Sequence, residues 1–79
     1  MAEIHRQEMH VGEAIALGVK LTREQVAEYL QVPKRTLDDW AYRGIGPRYY
    51  RPTGGNARYD IAEVERWLAG QFSEGWRLP

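Results

Sequence analysis

The chain has 79 residues, 43% of them apolar and 28% charged, with three tryptophans and no cysteine. That composition describes one small soluble domain, able to bury only about 60% of its unfolded surface, and it excludes disulfide staples, thiolate zinc clusters and thiol nucleophiles. The formal net charge is zero, but residues 1–30 hold three basic and five acidic groups, residues 60–79 hold two and four, and residues 31–59 hold six basic groups against Asp38 and Asp39. The middle of the chain is therefore a basic stripe between acidic flanks, the electrostatic footprint of a polyanion partner.

Residues 1–19 form an N-terminal extension, either an arm or a short helix: VGEAIALGVK has helical hydrophobicity, while Gly12 and Gly18 lower its propensity. No stretch reaches the ~18 apolar residues of a membrane span. The opening MAEIHRQEMH lacks the apolar segment of a signal peptide, so a cytoplasmic location is expected. His5 and His10 lie five apart with neither cysteine nor a carboxylate at helical ligand spacing, and no metal site is expected there.

LTREQVAEYL carries a full helix start. Thr22 caps, Gln25 stands at N3 to complete a capping box, and Leu21 and Val26 are placed as a hydrophobic staple. Pro33 stops this helix near Gln31 and is tolerated as the first residue of the next. That next helix, PKRTLDDWAYRG, ends at Gly44, suited to a left-handed cap. Steps of 100° put Leu37, Trp40 and Ala41 on an inner face. The outer arc holds Lys34, Arg35, Asp38, Asp39, Tyr42 and Arg43, with Thr36 at the margin. A turn of about three residues between the helices is helix-turn-helix spacing.

Gly46-Pro47 breaks the helical pattern, and PRYYRPTGGNARYD reads as two short strands around a glycine-rich turn. Arg48, Arg51 and Arg58 flank that turn, and Gly54 and Gly55 keep its tip thin. Strand alternation sends at least one of Tyr49 and Tyr50 to the core side. DIAEVERWLAG then opens a last helix with Asp60 as cap, Glu63 at N3, Tyr59 and Val64 as staple, and an inner stripe of Ile61, Val64, Trp67 and Leu68. The tail, residues 71–79, has no period, and its Phe72 and Trp76 are candidates for protein contacts.

The order helix, turn, helix, hairpin, helix over residues 20–70 predicts a small, mostly helical α+β domain, a winged helix-turn-helix with a two-stranded wing hairpin. A helix fits the major groove of duplex DNA, about 12 Å wide, and a narrow hairpin the minor groove, about 6 Å wide. Recognition helices approach by their N-terminal end. Lys34, Arg35, Thr36, Tyr42 and Arg43 are thus the expected helix contacts, and Arg48, Arg51, Gly54, Gly55 and Arg58 the wing contacts. The competing reading of Lys34 and Arg35 is a solvated face on which Lys34/Asp38 and Arg35/Asp39 pairs neutralise each other. In the favoured reading the two aspartates orient those bases. No nucleophile–base constellation or phosphate loop is present, and neither catalysis nor a cofactor is expected.

The run from Leu21 to Gly70 resembles the small MerR-like winged helix-turn-helix domains of phage and prophage excisionases, also called recombination directionality factors. TLDDWAYRGIGPRY and the RYD…EVERWL join are its most specific pieces. The resemblance implies binding to double-stranded attachment-site DNA, several protomers side by side, and bending that helps a phage integrase excise the prophage, in the cytoplasm of a bacterial host. Pro33 departs from the serine or threonine cap of many relatives. Only nine residues follow Gly70, so an inducer-sensing activator is not expected. Small phage transcriptional regulators and terminase DNA-binding modules share the fold, which leaves those roles open. A protein-interaction module docking an acidic partner is the alternative from another class.

Overall fold

The computed structural model describes residues 9–71. In chain order they form α1 (Val11–Leu17), β1 (Leu21–Thr22), α2 (Arg23–Leu30), α3 (Lys34–Arg43), a 3₁₀ turn at Pro52–Gly54, β2 (Arg58–Tyr59) and α4 (Ile61–Ala69). Helix, turn, helix, wing and helix follow one another as in a winged helix-turn-helix.

The start of α2 is set locally. Thr22 Oγ1 accepts the Gln25 amide at 3.0 Å, and Gln25 Oε1 accepts the Thr22 amide at 2.8 Å, a reciprocal box that satisfies two otherwise orphaned donors. Gln25 is buried, and its Nε2 reaches on to the Met9 carbonyl at 2.6 Å. Leu21 and Val26, the staple pair, are fully buried. Gln31 then turns the chain with φ +60°, and Pro33 holds an extended ψ of 148°, so α3 begins at Lys34, one residue later than expected. Proline offers α3 no side-chain cap. Gly44 ends it at φ +75°.

The β-structure is shared differently from a free-standing hairpin. β2 pairs antiparallel with β1, Leu21 opposite Tyr59 and Thr22 opposite Arg58. The first wing arm contributes a single bridge, Tyr50 to Arg58. The ladder stops there because the next residues use their hydrogen bonds in the turn. The Gly54 amide bonds to the Arg51 carbonyl and the Gly55 amide to the Pro52 carbonyl, while Pro52 has no N–H to give. The wing is therefore a one-bridge hairpin whose second arm is anchored to the strand preceding α2.

The core gathers Val11 and Ala14 of α1, Leu21, Val26, Ala27, Leu37, Ala57, Tyr59 and Val64. Tyr59 and Val64, the staple pair of α4, are 1% and 0% exposed. Trp40 and Trp67 sit at the margin, half-buried, with ring centroids 5.2 Å apart and planes tilted by 47°, joining α3 to α4. Asp60 Oδ1 caps α4 by accepting the Ala62 amide at 3.1 Å. Glu63 forms no reciprocal box and turns instead to Arg66 at 2.6 Å and Arg48 at 3.9 Å.

Candidate nucleic-acid interface

α3 presents Lys34, Arg35, Tyr42 and Arg43 to solvent, with Thr36 half-buried beside them. Tyr42 is 91% exposed, far more than any apolar contact within the domain would leave it. Of the expected ion pairs, Lys34–Asp38 is present at 3.1 Å, but Asp39 pairs with Arg43 at 2.9 Å and not with Arg35. An acid placed four residues before a base is the better helical orientation, so Asp39 turns towards the C-terminus of α3, where the cation also faces the negative end of the dipole. Arg35 forms no ion pair among the described residues.

The wing holds its arginines by short local contacts. Arg51 Nη1 donates to the Gly55 carbonyl at 3.3 Å across the tip, and its guanidinium lies 5.6 Å from the centroid of the Tyr49 ring. Arg58 Nη1 donates to the Ala57 carbonyl at 3.0 Å. Arg48 remains 84% exposed. Gly54 occupies the left-handed region at φ +75°, and so does Thr53 at φ +50°, an unfavourable place for a β-branched residue. The tip is thin and strained. Tyr49 turns inward and packs on Tyr59, ring centroids 5.5 Å apart, while Tyr50 points outward.

Helix and wing meet in one cleft of about 300 Å³, walled by Thr22 and Arg23 at the start of α2, Lys34 at the start of α3, and Arg51, Asn56 and Arg58 of the wing. Glu24 is the one carboxylate on its wall. Small-molecule pockets are lined mostly by apolar groups; this cleft is polar and cationic, suited to an anion.

One residue of that wall was not singled out in the sequence. Arg23 is 14% exposed at its side chain, and its Nε donates to the Tyr59 hydroxyl at 3.0 Å and its Nη1 to Asp38 Oδ1 at 3.1 Å. Its guanidinium carbon is 4.9 Å from the Tyr49 ring centroid and 6.0 Å from that of Tyr59. Nη2 is buried with no hydrogen-bond partner among the described residues, so the tyrosine faces and Asp38 offset the cost of burying this charge. Asp38 is held below the ordinary carboxylate range, first by the hydrogen bond from Arg23 and then by that from Lys34. Burial pushes the Tyr59 hydroxyl above the ordinary phenol value, which keeps it neutral. The signal in the sequence was Asp38 itself, an acid on a basic face with no evident partner beyond Lys34.

Phe72 and Trp76 lie outside the described residues. Among the described residues no group of three or more His, Cys, Asp or Glu is placed to hold a metal, and no helix is long and apolar enough to cross a membrane. A family model described as a helix-turn-helix domain matches residues 21–71, more than half of the chain. Among curated proteins and solved structures, nothing matches it.

Proposed function

Because the chain belongs to the helix-turn-helix domain family, we propose that it is an architectural protein that binds double-stranded DNA sequence-specifically, bends phage attachment-site DNA and directs an integrase towards prophage excision. α3 enters the major groove, with Lys34, Arg35 and Thr36 leading and Tyr42 and Arg43 further along the same exposed face. The wing enters the minor groove, with Arg48, Arg51 and Arg58 near the phosphates and the Gly54–Gly55 tip passing close to the sugar-phosphate chain. It acts by contact and deformation, not by catalysis.

The observation that carries this reading is the shared cleft: Lys34 of α3 and Arg51 and Arg58 of the wing line one cationic wall. Elements meant for adjacent grooves need a common backbone segment between them, and phosphate contacts fix register while base contacts give sequence. Bending a site costs on the order of 1–6 kcal/mol, a large demand on one small interface, so protomers bind side by side and share it. Band-shift titration on attachment-site DNA is expected to give stepwise, cooperative complexes, with mobility that depends on where the site lies in the fragment. One non-cooperative complex on every fragment, with no bend, contradicts this mechanism.

A further inference from the structure

The cluster around Arg23 at the cleft wall is built for alignment. We infer that Arg23 is a positioning residue of this interface, fixing the wing to the start of α3 so that the two elements meet their grooves at one spacing; the inference rests on the DNA-binding reading above. Arg23 belongs to α2, yet it touches both wing arms, through the Tyr49 ring and the Tyr59 hydroxyl, and α3 through Asp38. Asp38 in turn bonds Lys34, with Nζ 3.1 Å from Oδ2. Four residues thus form a continuous path, Tyr59 to Arg23 to Asp38 to Lys34, from the wing to the leading cation of the helix.

Three physical points favour positioning over the alternatives. First, Arg23 borders the cleft but turns its nitrogens away from it: two of the three are bonded within the domain and the third is buried. Second, stability alone is a weak reason to bury a guanidinium, because an apolar side chain of similar volume at such a site is often as stabilising. What an apolar side chain lacks is direction, whereas a planar fork bonded on two sides fixes an angle. Third, Arg23 resolves the difficulty of a carboxylate near phosphate. When Lys34 leaves Asp38 for the DNA backbone, Asp38 keeps Arg23 as its partner and stays neutralised.

The test uses the full chain with two probes, a duplex selected from random-sequence DNA by the unaltered protein and a non-specific duplex of equal length. Arg23→Met should bind the selected duplex about tenfold more weakly, the factor expected when charge-assisted hydrogen bonds are removed, and the non-specific duplex by a clearly smaller factor, the part due to an Asp38 left with Lys34 alone to neutralise it. The slope of log affinity against log salt should change by well under one, because no cation that meets a phosphate has been removed. Hydroxyl-radical protection in the minor groove should shrink while methylation protection of major-groove guanines persists. Tyr59→Phe, which keeps the ring and removes only the hydroxyl, should move each readout the same way by less, and decides the matter if Arg23→Met is unfolded in urea titration. Unchanged selectivity with both protections intact overturns the inference. So does a uniform loss on both duplexes with a slope shallower by about one, which marks a direct phosphate contact. If the unaltered chain selects no duplex, the DNA-binding reading fails first and takes the inference with it.

Discussion

Tyr50 and Arg58 face each other across the wing and exchange both backbone hydrogen bonds, at 3.0 and 2.8 Å. This single bridge is the closure between the two wing arms, and on it depends where Arg51 stands. Tyr50→Pro removes the donor to the Arg58 carbonyl while discarding a side chain that is 44% exposed and outside the core. Global stability should fall by only about 1 kcal/mol, the net worth of one such bond. DNA affinity should fall further than that, with a shallower salt dependence. Paired urea unfolding and binding titrations measure the two effects separately.

Two glycines at the junction of α3 and the wing should differ in a predictable way. Both have positive φ, +75° at Gly44 and +88° at Gly46, but a Cβ on Gly44 meets open space, whereas one on Gly46 falls 3.1 Å from Trp40 Cβ and Cε3. Gly44→Ala should cost about 1–2 kcal/mol from the left-handed backbone alone. Gly46→Ala adds an overpacking cost of about 1–3 kcal/mol, because Trp40 is held against Trp67. Set against a total of roughly 4–12 kcal/mol for a chain this long, the second variant should be visibly destabilised in urea and the first only mildly.

Acid should loosen the domain through Asp38 and Asp60. Hydrogen bonds from Arg23 and Lys34 hold Asp38 below its ordinary value, and Asp60 is held down by Lys20 and by the Ala62 amide. A carboxylate whose folded value lies below its unfolded one adds stability above the unfolded value. That contribution disappears as pH falls through the folded value. The urea midpoint should therefore drop as pH is lowered below about 4, and Asp38→Asn should flatten the drop while lowering stability at neutral pH, because it leaves Arg23 without its carboxylate.

The wing tip carries strain that a substitution can relieve. Thr53 holds φ +50° and ψ +32°, where asparagine is tolerated far better than a β-branched residue. Thr53→Asn should raise stability by up to about 1 kcal/mol, read as a higher urea midpoint, and Thr53→Val should not.

Elements governed by near neighbours were legible in the sequence. The box of Thr22 and Gln25 and the staples Leu21/Val26 and Tyr59/Val64 are set within a few residues and are found as read. Features that depend on distant partners were not. The pairing of β2 with β1 joins residues 21 and 59, and nothing in the alternation of RYYR shows that its ladder ends at Tyr50. Arg23 carries no periodic signal, since its partners lie 15 and 36 positions away. Asp39 stood between two equally spaced arginines, and only the preferred order of acid before base distinguishes Arg43 from Arg35.

The central claim is that α3 and the wing form one DNA-binding surface, and the salt dependence of affinity tests it most directly. Arg51 and Arg58 line the shared cleft, and each makes its hydrogen bond within the wing through a single Nη1 to a backbone carbonyl. On a duplex selected by the unaltered protein, the double variant Arg51→Ala/Arg58→Ala should bind more weakly, and its slope of log affinity against log salt should be shallower by about two, near 0.9 for each phosphate that no longer meets an arginine. Unchanged affinity with an unchanged slope would contradict the account, because the wing would then lie away from the DNA.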